Sequence, residues 1–247
     1  MKIEQHLFDE IYSFNKVVST MNTAQKMIQN GDVNGNFLIL ANEQSNGKGR
    51  QAAGWFSPEG GLWFTMALYG LPLDSSLTIF TGIIIHQAIL EMLPELEGRL
   101  KIKWPNDIML DGKKLCGILT LHLGQKNYFL VGVGVDTNIT EFGPDLSDIA
   151  ISLKQSVGRD IEHEEFLNVL FHFYAEELPE FMDSRLRNYL EYYKEHCYLK
   201  GQQVLLSTEF ESFNGRVQGI NSKGALLLEI KDGMIQPFYS GSIEKIY

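Results

Sequence analysis

Asp111-Gly112 lies between Ile108-Met109-Leu110 and Leu115-Cys116-Gly117-Ile118-Leu119. That arrangement leaves the segment one economical fold, a β-hairpin. Both central residues of a two-residue type I′ turn need φ > 0, and Asp-Gly tolerates it. With the turn there, Leu110 faces Lys113, Met109 faces Lys114 and Asp107 faces Cys116. Side chains alternate across a strand, so Asp107 and Lys114 share one face as diagonal neighbours, roughly 7–8 Å apart. A carboxylate and an amine are thereby delivered to one place on a rigid element. A ligand carrying phosphate and a divalent metal needs such a pair. An ordinary hairpin with a surface ion pair has the same spacing.

Around the hairpin, helical and strand patterns interleave. Val17 and Val18 end a short strand-like run, and Ser19 or Thr20 then caps a helix that stops at Asn30-Gly31. Asn36 to Ala41 and Leu62 to Tyr69 read as buried strands. Ser75 or Ser76 caps a long apolar helix ending before Pro94. Arg99 to Trp104 alternates and opens the hairpin, whose second strand extends towards Leu123. Tyr128 to Val135 is a further buried strand, followed by an irregular stretch, Thr137 to Ser152. Residues 161–197 have a helical period, broken or kinked at Pro179. Their aromatic stripe (Phe166, Phe171, Phe173, Tyr174, Phe181, Tyr189, Tyr192, Tyr193) reads as core. This is an α/β or α+β pattern with a mixed sheet. Beyond Lys200 only short strand-like runs remain: Gln203–Leu206, Phe213–Ile220, Ala225–Ile230 and Met234–Tyr239. The turn signals there are Asn214-Gly215, Ser222-Lys223-Gly224 and Asp232-Gly233, and closely spaced strands of this kind suggest a small barrel. The reading divides the chain into a unit over residues 1–199 and a smaller one over 200–247.

The segment from Glu43 to Gly61 shows neither period. Structureless loops of such length inside a compact unit are usually functional or disordered. From Gln44 to Pro58 it has no acidic residue, yet it holds Lys48, Arg50 and the glycines 47, 49 and 54. The whole chain has a formal net charge of −10, so this is a local positive site with exposed backbone N–H groups suited to an anion. The P-loop spacing Gly-x-x-x-x-Gly-Lys-Ser/Thr is absent.

That net charge, without a Lys/Arg-rich run, argues against nucleic-acid binding. Cys116 and Cys197 are the two cysteines, and neither belongs to a metal-binding or disulfide pattern. No stretch is long and apolar enough for a membrane span and no leader-like h-region follows Met1. A cytoplasmic protein, free of DNA and membrane, is the expectation.

Loop and hairpin together resemble the biotin protein ligases, the biotin–[acetyl-CoA-carboxylase] ligase family. That family carries Gln-x-x-Gly-Arg-Gly-Arg-x-Gly-Arg-x-Trp, then Lys-Trp-Pro-Asn-Asp, then Lys-x-x-Gly-Ile-Leu. Here these correspond to Gln44 with Gly47-Lys48-Gly49-Arg50 and Trp55, then Lys103 to Asp107, then Lys114 to Leu119. Ser19-Thr20-Met21 is similar to the family's Ser-Thr-Asn helix start. Gly132-Val133-Gly134-Val135-Asp136-Thr137-Asn138 is similar to its Gly-Ile-Gly-Ile-Asn-x-Asn strand end. Gly224 to Leu228, with Ser240-Gly241 downstream, is similar to its C-terminal segment. The ordered set spans nearly the whole chain.

The resemblance implies a mixed-sheet catalytic domain like that of class II aminoacyl-tRNA synthetases and a small SH3-like β-barrel. It implies ATP-dependent formation of biotinyl-5′-AMP and transfer of biotin to a lysine of a biotin carboxyl carrier domain, by a monomer or homodimer. Arg50, Lys114 and Asp107 would be catalytic. Ser19, Thr20, Met21, Gln44, Gly47, Lys48, Gly49, Arg50, Lys114 and Gly117 would hold biotin. Lys48, Arg50, Trp55, Asn106, Lys114 and Asn138 would hold the nucleotide. Mg²⁺ would come with ATP, Asp107 helping to hold it, and no protein ligand cluster is present. Trp55 and Trp104 suit either the core or a pocket wall.

Four departures stand out. Lys48 replaces an Arg and loses its bidentate fork. Ala52 and Ala53 replace Gly-Arg, so an anion contact is missing. Met21 and Asp136 each replace an Asn, and Asp136 adds negative charge. Only 18 residues precede Ser19, so a DNA-binding winged helix is not expected ahead of it. Two other readings fit the fold: a lipoate or octanoate ligase or transferase, and a non-catalytic biotin sensor.

Overall fold

The computed structural model describes residues 7–72, 74 and 76–247. Ser75, one of the two expected caps, lies outside them. In chain order come β1 (Glu10–Val17), α1 (Thr20–Asn30), β2 (Phe37–Gln44), β3 (Gly47–Lys48), β4 (Gly54–Trp55), β5 (Leu62–Tyr69) and α2 (Leu77–Met92). Then follow β6 (Leu100–Lys103), β7 (Asp107–Leu110), β8 (Lys113–Leu123), β9 (Tyr128–Val135), α3 (Leu153–Val157), α4 (His163–Ser184) and α5 (Leu190–His196). The chain closes with β10 (Gln203–Ser207), β11 (Ser212–Ile220), β12 (Leu226–Glu229), β13 (Ile235–Phe238) and β14 (Ser242–Ile246).

Seven strands form one mixed sheet in the order β1-β2-β5-β9-β8-β7-β6. Only β1 and β2 run parallel; every other neighbouring pair is antiparallel. The central strands β2, β5 and β9 are near-continuous apolar runs because helices cover both faces. Alternate residues part to two sides. Phe37, Ile39, Ala67 and Leu130 meet Met21, Ala24 and Ile28 of α1. Leu38, Leu40, Phe64, Met66 and Val131 pack with α2 and α4. Helix α2 is apolar nearly all round because it is enclosed between the sheet and α4. Its one imidazole, His86, is buried with Nδ1 2.7 Å from Tyr192 Oη and Nε2 3.2 Å from the Leu100 carbonyl. Burial pushes its pKa down to about 3, so it stays neutral.

The hairpin turn falls where expected, with Asp111 at φ 52 and Gly112 at φ 80. Leu110 pairs with Lys113 and Met109 with Lys114, but Ile108 then pairs with Cys116 and Asp107 with Gly117. A β-bulge at Leu115 shifts the register by one, so Asp107 does not face Cys116. Three further expectations are corrected. Helix α4 runs through Pro179, which is exposed and can leave the carbonyl it frees to water. The break comes instead at Arg185, whose φ is 57. Asn214-Gly215 lies inside β11, not in a turn. The stretch from Gly47 to Trp55 is not structureless: β3 and β4 pair, with Gly47 opposite Trp55 and Lys48 opposite Gly54.

Residues beyond 200 form a five-stranded antiparallel sheet in the order β13-β12-β11-β10-β14. The expected barrel does not close by hydrogen bonding between β13 and β14 among the described residues. Val204, Leu206, Val217, Leu226 and Leu228 join the same apolar cluster as α2 and Trp104. Trp104 Nε1 donates to the Gly224 carbonyl at 3.0 Å, so the indole, 2% exposed, fastens the smaller sheet to the larger. Trp104→Phe removes that donor and leaves a buried carbonyl unmet, which should cost about 1–3 kcal/mol. Urea unfolding followed by circular dichroism checks this; an unchanged midpoint would show that the bond contributes nothing.

Candidate functional site

On the α1 side of the sheet, the strands lose their side chains where the site begins. Gly117 of β8 and Gly134 of β9 are direct cross-strand partners. The Trp55 indole lies on this bare patch: a Cβ at Gly134 would sit 2.3 Å from Trp55 Nε1, and one at Gly117 would sit 2.9 Å from its ring. Two residues earlier on the same face, Gly132 makes room for Met21, whose Sδ would be 2.8 Å from a Cβ there. The β3–β4 hairpin carries Trp55 over the floor. Gly47 lets that hairpin close, since a Cβ would lie 2.5 Å from both Ser57 Oγ and the Trp55 carbonyl.

A cavity of about 220 Å³ stands on this floor. Its inner end is polar. Thr20 donates to Gln44 Oε1 from its amide at 2.8 Å and from its hydroxyl at 3.1 Å, and Thr65 Oγ1 donates to Thr20 at 2.9 Å. Gln44 Nε2 donates to Ser57 at 2.9 Å, which leaves its second N–H available. Ser19 stands at the N-cap position of α1 but makes no side-chain cap bond. Its buried hydroxyl has no partner among the described residues. A buried hydroxyl left unmet costs about 1–3 kcal/mol, and Ser19 lines this cavity. Met21 and Leu119 give the walls an apolar stretch.

The outer end is charged. Lys114 Nζ lies 2.7 Å from Asp107 Oδ1 and 4.9 Å from the centre of a Trp55 ring. The bulge brings the ion pair together over side-chain-free Gly117, closer than diagonal neighbours on a regular ladder. Arg50 donates to Asn106 Oδ1 at 3.3 Å and to the Gly241 carbonyl at 2.8 Å. A loop of the large unit is therefore pinned by the small one. Gly241 has φ 147, and a Cβ there would strike Leu206. Asn106 also donates to the Ile118 carbonyl at 2.9 Å.

A second cavity, of about 200 Å³ and mostly apolar, lies across Trp55 and Lys114 from the first. Phe56, Phe142, Leu146, Ile149 and Asp136 line it. Two cavities thus share a wall of Gly54, Trp55 and Lys114.

Of the expected residues, Ser19, Thr20, Met21, Gln44, Lys48, Gly49, Arg50, Trp55, Asn106, Asp107, Lys114 and Gly117 all line the first cavity. Gly47 is not in that lining and acts through the closure of the β3–β4 hairpin. Asn138 does not reach either cavity. Its amide donates to the Ile161 carbonyl at 2.9 Å and accepts from the Ile161 amide at 2.8 Å, which consumes it in fixing a loop. Trp104 is core. Sequence reasoning missed the lining from 142–150, because a short irregular run gives no period to read. It also missed the role of Gly132 and Gly134, which the i, i+2 spacing on one strand face could have signalled.

The family model "Biotin/lipoate A/B protein ligase family" matches residues 14–138 and "Biotin protein ligase C terminal domain" matches residues 200–245. The Bacillus subtilis bifunctional ligase/repressor BirA is 30% identical over 92% of this chain and 71% of its own length. A biotin–[acetyl-CoA-carboxylase] ligase of Paracoccus denitrificans is 28% identical over 79% of this chain and 85% of its own. The Aquifex aeolicus biotin protein ligase, solved with biotin and ATP, superposes with a TM-score of 0.82 at 26% identity, covering 95% of this chain and 97% of that one.

The glycine floor yields a direct test. Gly134→Ala should push the Trp55 indole off the sheet, red-shifting tryptophan emission at a stability cost of about 1–3 kcal/mol. An emission spectrum identical to wild type would refute the packing.

Proposed function

The chain belongs to the biotin/lipoate A/B protein ligase family and is a biotin ligase, and we propose that it makes biotinyl-5′-AMP from biotin and ATP and passes the biotinyl group to a lysine of a carboxyl-carrier domain. One observation carries this reading. Two cavities meet at Lys114 and Trp55, an arrangement that suits an acyl group on one side, a nucleoside on the other and a phosphate at the cation between them.

Each end fits its part. The free Ser19 hydroxyl and the spare Gln44 N–H suit a cyclic urea, and Met21 and Leu119 suit an apolar ring and chain. A carboxylate oxygen of biotin attacks the α-phosphorus, the bond to the β-phosphate oxygen breaks, and pyrophosphate leaves. Lys114 and Arg50 face the charge that builds on the phosphate oxygens, where fixed cations act most strongly because water is excluded. Asp107 holds the Lys114 ammonium in position. The carrier's amine then attacks the acyl carbon, its C–O bond to AMP breaks, and the amine proton is lost.

Asp107 is the one acidic side chain lining the cavity, and no cluster of three or more metal-ligating groups occurs among the described residues. A single carboxylate suits Mg²⁺ that arrives on the triphosphate with its own water and phosphate oxygens, not an ion held by protein alone. When bound, Mg²⁺ supplies charge neutralisation. We assign residues 1–199 to the catalytic unit and 200–247 to the unit that fixes Arg50.

Intact mass of a carboxyl-carrier domain incubated with this chain, biotin, ATP and Mg²⁺ should rise by one biotinyl group. Lipoate in place of biotin should give no gain. If lipoate is transferred instead, the acyl assignment is wrong. Lys114→Ala should slow biotin-dependent ATP–pyrophosphate exchange by roughly 10²–10³-fold while changing biotin affinity little. Exchange at the wild-type rate would remove Lys114 from phosphate chemistry.

A further inference from the structure

A hydroxyl that lines neither cavity controls what the inner end of the first can offer a ligand. Ser57 follows β4 and is 4% exposed. Its oxygen accepts from Gln44 Nε2 at 2.9 Å, and its proton goes to the Trp55 carbonyl at 3.1 Å. Its own carbonyl accepts from the Gln44 backbone amide at 3.0 Å. These groups close round Gly47. A Cβ there would lie 2.5 Å from Ser57 Oγ, 2.5 Å from the Trp55 carbonyl and 3.1 Å from Gln44 Nε2.

We infer that Ser57 is a positioning residue for the acyl group, acting through Gln44. The inference rests on the ligase reading above and deepens it. Direction along this chain of bonds is forced. A carbonyl oxygen only accepts, so the Ser57 proton is committed to Trp55. Towards Gln44 the hydroxyl can then only accept, and it must meet the amide nitrogen. At the other end a backbone N–H only donates, so the amide atom beside Thr20 must be Oε1. The Thr20 hydroxyl donates to Oε1 as well, at 3.1 Å, and is itself met by fully buried Thr65 at 2.9 Å. Both lone pairs of Oε1 and one N–H of Nε2 are thereby used. The second N–H is what the Gln44 side chain keeps for a ligand, a donor suited to an acceptor on the acyl ring.

Without the Ser57 oxygen the amide is held at its Oε1 end alone, and its plane is free to turn about the Thr20 contacts. The same hydroxyl also holds the Trp55 carbonyl, yet the indole is seated separately, on Gly117 and Gly134. Orientation of the acyl end and integrity of the wall between the cavities can therefore be told apart.

The test uses the intact chain, with biotin affinity from titration calorimetry and kinetic constants from biotin-dependent ATP–pyrophosphate exchange. Ser57→Ala should weaken biotin binding roughly tenfold and raise the biotin KM to match, with kcat and the ATP KM within about twofold of wild type. Ser57→Cys, which keeps a weak acceptor, should fall between the two, and it carries the same comparison if Ser57→Ala does not fold. In a Gln44→Met chain, which has no amide to orient, adding Ser57→Ala should change biotin affinity by less than about twofold. A full tenfold loss in that background, or an ATP KM rising in step with the biotin KM, would make Ser57 a prop for the hairpin and overturn the assignment. Wild-type biotin affinity in both Ser57 variants would overturn it too. Biotin bound by the wild-type chain without any exchange would overturn the ligase reading and leave Ser57 to be judged by calorimetry. A wild-type chain that binds no biotin would overturn both.

Discussion

The site depends on an absence: no side chain at Gly117 or Gly134. Two bare positions facing each other in antiparallel register let an indole lie flat on a sheet, where any Cβ would lift it. Trp55 on that patch does three things at once. It divides one trough into two cavities, it offers its ring face to the Lys114 ammonium, and it ties the β3–β4 hairpin to the sheet. A ring 4.9 Å from an ammonium gains a cation–π contact of about 0.5–2 kcal/mol. The same ammonium is held by Asp107, so its position is set from two directions before any ligand arrives.

Charge placement follows from the bulge at Leu115. On a regular ladder Asp107 and Lys114 would be diagonal neighbours. The extra residue moves Asp107 opposite Gly117, and the lysine stem then lies over a glycine. Both partners stay partly solvated, at 34% and 18% side-chain exposure. The pair therefore escapes the desolvation cost that makes fully buried ion pairs poor bargains, yet it remains close enough to direct the cation. In a chain of net charge −10, such local placement decides where an anion can settle.

Much of this was legible because it rests on short-range rules. Asp111-Gly112 fixed the turn, and the apolar runs of β5 and β9 marked their bounds to the residue. Ser19, Gln44, Arg50 and Lys114 were singled out and are brought to one cavity. What escaped has a physical reason each time. The register slip at Leu115 inserts one residue without any Gly or Pro to announce it. Pro179 stays helical because its exposed side spares the backbone a buried unmet carbonyl. Asn138 has the residue type of a ligand contact, but its amide is consumed by the backbone of Ile161. Strand β14, with Glu244 and Lys245 in a short polar edge, has too little apolar alternation to be read.

Arg50 shows why the small sheet belongs to the site. An arginine beside a cavity, on a short hairpin with Gln51 at φ 52, would be free to sweep unless its guanidinium were held. The Gly241 carbonyl holds it at 2.8 Å, and that carbonyl reaches it only because Gly241 can adopt φ 147. The anchor carries no charge, so the guanidinium keeps its full positive charge for the cavity while losing rotamer freedom. Trp104 makes the reciprocal bond, from the large unit to the Gly224 carbonyl. Two neutral backbone acceptors of the smaller sheet thus fix one cation and one core indole of the larger. Loosening the sheet-to-sheet contact would therefore alter the orientation of Arg50 at the cavity, although no residue beyond 200 is part of that cavity's lining.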